Sequence, residues 1–235
     1  MAGFVFFKLI AQQILKGNLS STQNIQYYKR WKASMQPGHN SITDRLPWLT
    51  FPAIKILEQQ LNKTAKVFEY GGGGSTLFFL DKAGSVTTVE HNKEWFDILK
   101  NKITGPEKKH WEAALILPEE KDPEVQLDYT HPDHYYSSDE NYPGNTFRAY
   151  AGYIDKYEDA YFDVILIDGR ARPSCLKHAV SKIKKGGLLI LDNAERKYYL
   201  ANHLIDENQF NLILNKPAPI PFMNFYSQTN IWIKQ

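Results

Sequence analysis

Short apolar runs recur along the chain, separated by stretches whose apolar positions follow helical spacing. Val67, Phe68 and Tyr70, then the runs 86–89, 114–117, 162–167 and 188–191, suit buried strands because they are short and rich in β-branched or aromatic residues. Pro52 suits a first helical turn, after which Ile54, Leu57 and Leu61 share one face of a helix over 53–61. The run 77–80 suits a helix after the first strand, and 92–101 a helix with Trp95, Phe96 and Leu99 as its inner stripe. A short helix over 151–159 precedes the strand at 162–167, and a helix over 174–183 follows it, closed by Lys184-Lys185-Gly186-Gly187. Strands alternating with helices predict an α/β fold with a mostly parallel sheet. The last two runs, 210–214 and 229–233, have only a loop with Pro217, Pro219 and Pro221 between them and are most simply antiparallel neighbours.

Two segments stand outside this alternation. Residues 1–50 form an N-terminal helix and lid extension, too short for a core of their own, ahead of the α/β domain at 51–235. Phe6, Leu9, Ile10 and Ile14 recur at helical spacing, which predicts a helix packed on the domain or on a second copy in a homo-oligomer. A membrane-surface role is disfavoured, because the polar face carries mainly glutamines instead of a basic row. The opening lacks a basic start and a small-residue cleavage site, so it is a poor signal peptide. The second segment, 119–149, is rich in proline, tyrosine and acids and long for a compact domain. It predicts a lid, with Tyr135 or Tyr136 lining the pocket beneath it.

Composition narrows the partners. Over 235 residues, a hydrophobic content of 43% supports a real core. A formal net charge of +2 gives no reason to expect a nucleic-acid partner. Nothing approaches the ~20 apolar residues of a transmembrane segment. One cysteine, Cys175, excludes an intramolecular disulfide and fits a reducing, cytoplasmic setting; it reads as a small buried residue.

The candidate chemistry starts at 66–76, Lys-Val-Phe-Glu-Tyr-Gly-Gly-Gly-Gly-Ser-Thr. A strand followed by glycines and a helix lets a ligand approach backbone closely beyond the strand's carboxyl end. Glu90 ends the second strand about 20 residues after Glu69, the spacing at which an acid can accept hydrogen bonds from ribose hydroxyls. A dinucleotide turn needs a third glycine, but Thr76 or Leu77 stands there in the two possible registers.

The run Glu69-x-Gly71-x-Gly73-x-Ser75 resembles motif I of the class I S-adenosylmethionine (SAM)-dependent methyltransferases. The tracts 162–169 and 185–193 resemble the fourth and fifth strands of that fold, and the similarity covers about residues 50–235. The resemblance implies a doubly wound, seven-stranded Rossmann-like sheet with helices on both faces and a final antiparallel strand inserted at its edge. It implies SAM as cofactor, bound by Glu69, Gly71, Gly73, Ser75 and Glu90, with His91 near the adenosine. The expected activity is O-methylation of a small-molecule or sugar-like acceptor, with no nucleic acid involved.

Asp168, Arg170, Asp192 and Asn193 are expected to border the acceptor as catalytic residues. Asp168 and Asp192-Asn193 resemble the Mg²⁺-binding set of catechol-type O-methyltransferases, but Gly169, Arg170 and Arg172 depart from it. An ion pair from Arg170 to Asp168 would replace the metal, so Mg²⁺ is less expected than not. Arg170 and Arg172 suit a carboxylate or phosphate on the acceptor. His131 and His134 are candidate general bases. No Asn/Asp-Pro-Pro-Tyr box follows strand four, and the glycine loop has no interior acid as in spermidine-synthase relatives. Two alternatives remain: a non-catalytic SAM-binding or assembly protein on the same fold, and an NAD-dependent oxidoreductase.

Overall fold

A computed structural model describes residues 2–120 and 127–235; residues 121–126 of the expected lid, Pro123 among them, lie outside the described residues. Seven strands form the main sheet: β1 (Lys66–Tyr70), β2 (Ser85–Glu90), β3 (Trp111–Leu115), β4 (Phe162–Ile167), β5 (Ile183–Leu191), β6 (Phe210–Leu214) and, last in the chain, β9 (Asn230–Lys234). Their spatial order is β3-β2-β1-β4-β5-β9-β6. The pairs from β3 through β5 are parallel, and β9 runs antiparallel between β5 and β6. The expected inserted antiparallel strand is thus present. Pro217–Pro219 (β7) and Tyr226–Gln228 (β8) add a small separate hairpin.

Side-chain alternation divides the core into two. Val67, Val164, Leu166, Leu188, Ile190 and Ile231 face one way, toward α3 (Phe51–Gln60), α4 (Gly74–Lys82) and α5 (Lys93–Lys102). Their neighbours Phe68, Tyr70, Ile165, Ile167, Leu189 and Leu191 face the other way, toward α6 (Arg148–Gly152) and α7 (Arg172–Ala179). Central strands buried on both faces have no polar side to show, which is why they read as continuous apolar runs. The N-terminal elements α1 (Ala2–Leu15) and α2 (Tyr28–Ser34) join the first core through Phe6, Ile10 and Trp31, and the Trp31 indole donates to the Met223 carbonyl at 2.7 Å. Cys175 is fully buried in the second core.

Three boundaries differ from the sequence pattern. Lys184-Lys185-Gly186-Gly187 does not close a helix; α7 ends at Ala179, and these residues lie within β5. Phe162 already pairs with Ile183, and the register shift before Val164↔Leu188 absorbs the extra residues, with Gly186 at φ +78°. β3 begins at Trp111, opposite Val86, and ends at Leu115, before the apolar run does. The helix expected over 151–159 starts earlier, at Arg148, where Glu119 accepts hydrogen bonds from the Arg148 and Ala149 amides and so caps it from a distance.

The glycine turn is held from behind by Glu69. Its side chain is buried on the α4 side of the sheet and accepts hydrogen bonds from the hydroxyls of Ser75 (2.7 Å), Thr76 and Thr88 (2.7 Å). Thr76 also accepts from the Gly73 amide at 3.0 Å, so the acid, the first turn of α4 and the loop form one unit. Gly71 has φ +89°, and a Cβ there would meet the Asp168 carbonyl oxygen at 2.7 Å. Burial pushes the Glu69 carboxyl up to about 7, against the opposing pull of its hydroxyl donors. A raised carboxyl pKa means the folded state favours the protonated acid. The associated stability is full below the ordinary carboxyl range and is lost as pH rises through about 7. Glu69→Gln removes this titration, so its melting temperature should fall less than that of the wild type between about pH 5 and about pH 8. Parallel declines in thermal melts of the two proteins would refute the buried-acid account.

Candidate active site

The strand order reverses between β1 and β4, the place where an open α/β sheet leaves a crevice beyond its strand ends. Gly71 after β1, Glu90 at the end of β2 and Asp168 after β4 meet there around a cavity of about 520 Å³. The turn 71–75 forms one side. Trp48, Trp95 and Ile98 supply apolar wall, and Ser41 reaches in from the N-terminal segment. Trp95 is not simply the core residue its helical stripe suggests: its indole N–H donates to the Gly72 carbonyl. Asn92 caps α5 by accepting from the Trp95 amide at 2.9 Å, which fixes that wall.

Glu90 is buried and lines the cavity. Its Oε1 accepts from the amides of His91 (2.8 Å) and Asn92 (2.7 Å), and its Oε2 from the Gly72 amide (2.8 Å). Burial opposes ionisation, but His91 and these amides outweigh it and hold the carboxyl below its ordinary range. Glu90 is therefore an anion at neutral pH, with Oε2 the less occupied oxygen. His91 lies beside it, Nδ1 2.9 Å from Oε1, with its ring edge-on to Tyr142, Phe147 and Tyr150.

A second cavity, of about 530 Å³, adjoins the first and shares Gly169, Arg170, Arg172 and Asn193 with it. Residues 137–141 of the long loop, Arg196 and Tyr199 complete its wall, which is mostly polar. Gly169 is required here, since a Cβ would run into the Tyr150 hydroxyl. Arg172 is buried and makes three donations: to the Gly169 carbonyl (3.1 Å), to the Asp192 carbonyl, and to the Asp168 carboxylate (2.9 Å). Ala171, at φ 45°, turns the chain so that Arg172 opens α7 and points back at the strand ends. Arg170 reaches across to Asp139 at 2.6 Å, while its Nε is buried with no partner among the described residues. Arg196 donates to the Tyr199 hydroxyl at 3.0 Å and pairs with no carboxylate among the described residues.

Several expected roles change. Arg172, not Arg170, is the partner of Asp168, because the helix start places it four residues on and facing the carboxylate. Glu69 is fully buried and off the cavity wall, and it supports the turn from behind. Asp192 is also off both walls: it accepts from the Thr229 hydroxyl at 2.7 Å, and burial together with Asp168 raises its pKa. Asn193, at φ 49°, lines both cavities and donates to Ser227 at 3.0 Å. Tyr135 is buried, with its hydroxyl 3.2 Å from His178 Nε2, and Tyr136 lines neither large cavity. His131 and His134 stack on each other in an exposed turn, and each Nδ1 accepts from a nearby amide. Neither lines either of these two cavities.

The donor set does not fit Mg²⁺. Asp168 is already neutralised by a buried guanidinium, Asp192 is turned to Thr229, and no group of three or more His, Cys, Asp or Glu is placed to hold a metal among the described residues. Sequence reasoning missed Arg196 and Tyr199; Trp48 and the 137–141 stretch fall within the two expected lid segments but carried no individual role.

No protein-family model matches the chain, and no curated protein matches it in sequence. Solved structures do resemble it. A putative O-methyltransferase from Klebsiella pneumoniae superposes with a TM-score of 0.52 at 13% identity, over 87% of this chain and 85% of the other. An O-methyltransferase from Bacillus cereus, in complex with S-adenosylhomocysteine, gives 0.51 at 14% identity over 91% of both chains. An rRNA methylase from Streptococcus thermophilus gives 0.50 at 12% identity over 78% of this chain and 94% of that one. Together with the strand order, the inserted β9 and the crevice at the switch point, these likenesses give the chain the Rossmann-like fold of the class I SAM-dependent methyltransferases.

Proposed function

We propose that the protein transfers a methyl group from SAM to an oxygen of a small, polar acceptor carrying an anionic group. The observation that carries this is the meeting of two cavities at Gly169, Arg170, Arg172 and Asn193, one bounded by the glycine turn and Glu90, the other polar and arginine-rich. SAM supplies an electrophilic sulfonium methyl: an acceptor oxygen forms the new O–C bond, the C–S bond breaks, S-adenosylhomocysteine leaves and the hydroxyl proton departs to solvent.

In this reading Gly71, Gly73 and Ser75 border the methionine half, Glu90 offers Oε2 to a ribose hydroxyl, and Trp48, Trp95 and Ile98 enclose the adenine. The N-terminal stretch 1–50 then acts as part of the cofactor's cover. A dinucleotide fits poorly. Gly74, at the start of α4, is flanked by the carbonyl oxygens of Ser41 and Leu46, which narrows the space beside the turn. Thr76, in place of the third glycine, is already bonded to Glu69 and Gly73.

Arg196, with no carboxylate partner among the described residues, and Arg170 with its unpartnered Nε suit a carboxylate or phosphate on the acceptor. A cavity of about 530 Å³ suits a small molecule better than RNA. The single buried cysteine fits a reducing, cytoplasmic setting.

Calorimetry should detect S-adenosylhomocysteine binding and no NAD binding, and Glu90→Ala should weaken the former by about 1–3 kcal/mol. Binding of NAD alone would sink the reading. Methyl release to an acceptor separates an enzyme from a non-catalytic SAM-binding protein on this fold.

With an acceptor in hand, turnover should continue in excess EDTA, because Arg172 occupies the carboxylate a metal would need. Loss of activity in EDTA with recovery on adding Mg²⁺ would return Asp168, Asp192 and Asn193 to a metal site.

A further inference from the structure

α1 is apolar on more than the face it buries. Phe6 and Ile10 pack into the core, yet Phe4 is 76% exposed, Leu15 87% and Leu19, just past the helix, 72%. Phe4, Phe7, Ala11 and Leu15 lie at steps of three and four residues, so they form one outward stripe beside the buried one. A helix apolar on two sides is normally covered on both.

The charge around this stripe indicates what covers it. Residues 1–43 contain Lys8, Lys16, Lys29, Arg30 and Lys32 and not a single Asp or Glu; the first acid in the chain is Asp44. The chain's formal +2 therefore conceals a basic N-terminal segment and a net acidic remainder. Arg30 is paired with Glu58 at 3.0 Å, while Lys8, Lys16, Lys29 and Lys32 are exposed and in no ion pair among the described residues. The polar side of α1 alone has too few cations for a basic row. The fold supplies more by packing α2 against α1: the Phe7 ring lies 5.4 Å from that of Tyr28, next to Lys29.

We propose that this face docks the protein on an anionic lipid surface, with Phe4, Phe7, Leu15 and Leu19 entering the headgroup boundary and the lysines meeting lipid phosphates and carboxylates. Two copies paired symmetrically through α1 would bring Lys8 and Lys16 of each into one interface with no acid to offset them. RNA would satisfy the lysines but gives no partner to aliphatic Leu15 and Leu19, since bases stack on aromatic rings. No helix among the described residues is long and apolar enough to cross a membrane, so the contact is peripheral. The inference is independent of the methyltransferase reading.

The test is flotation of the full chain with vesicles of phosphatidylcholine alone, or with a third of it replaced by phosphatidylserine. The protein should float with the anionic vesicles only, and less as salt is raised. The double variant Phe4→Ser/Leu15→Ser, both at exposed positions, should keep its circular dichroism and melting temperature and lose binding by about tenfold or more. Lys8→Glu/Lys16→Glu should do the same. Absence of binding, equal binding to both vesicle types, or binding unchanged in the variants overturns the proposal. It is equally overturned if vesicles are ignored while sedimentation shows a dimer that Phe4→Ser/Leu15→Ser dissolves, or while a short RNA is retained through Lys8 and Lys16.

Discussion

Arg172 ties the working end of the sheet together. Its guanidinium is buried at the C-terminal ends of β4 and β5, where two carbonyls and a carboxylate would otherwise be left without donors. An arginine is the one side chain that can serve all three, because its five N–H groups lie in a fixed plane and it stays charged when buried. Breaking such a buried pair leaves an uncompensated charge, at a scale of about 3–5 kcal/mol. Arg172 is also one of the four residues that line both cavities, with Gly169, Arg170 and Asn193. The same pairing bears on a metal: the Asp168 carboxylate that could hold a cation is matched by a guanidinium built into the fold.

The two cavities were unequally legible in the sequence. The cofactor side follows local rules, since a turn without Cβ atoms, a β-branched strand and an acid at its end are consecutive features. Glu90 falls where its spacing placed it because β1 and β2 are in parallel register, with Tyr70 opposite Val89. Glu69 is the exception. Its place in the motif suggests a ligand contact, but strand alternation turns it to the α4 side, where only hydroxyls reach it. The pattern carries the position; the period of two decides the role.

The second cavity was legible only in part: Arg170, Asn193 and a lid over 119–149 were expected, but not how they meet, and for a physical reason. Asp139, Arg170 and Arg196 are brought together by a loop whose course is set by long-range pairings: Glu119 with Thr146, and the Phe147 amide with the Tyr135 carbonyl. No periodicity encodes such contacts. The choice between Arg170 and Arg172 as partner for Asp168 likewise turned on Ala171 adopting the left-handed conformation, an uncommon one for alanine that nothing in its neighbours announces. The boundary error at 184–187 has the same root: two lysines and two glycines read as a helix end by local rules, while sheet pairing across a register shift made them strand.

The N-terminal segment shows how one stretch can serve the site from two sides. Its inner residues pack on the first core, and the Ser41 and Leu46 carbonyls press against Gly74 at the start of α4. A helix N-terminus normally attracts anions through its free amides. Here the turn and the first residues of α4 stay on the cavity wall, while the flank of Gly74 is closed by the N-terminal segment. The stretch before the sheet therefore shapes one side of the cavity without contributing a charged side chain to it. The steric constraint is Gly74, where any Cβ would force the Ser41 and Leu46 carbonyls away.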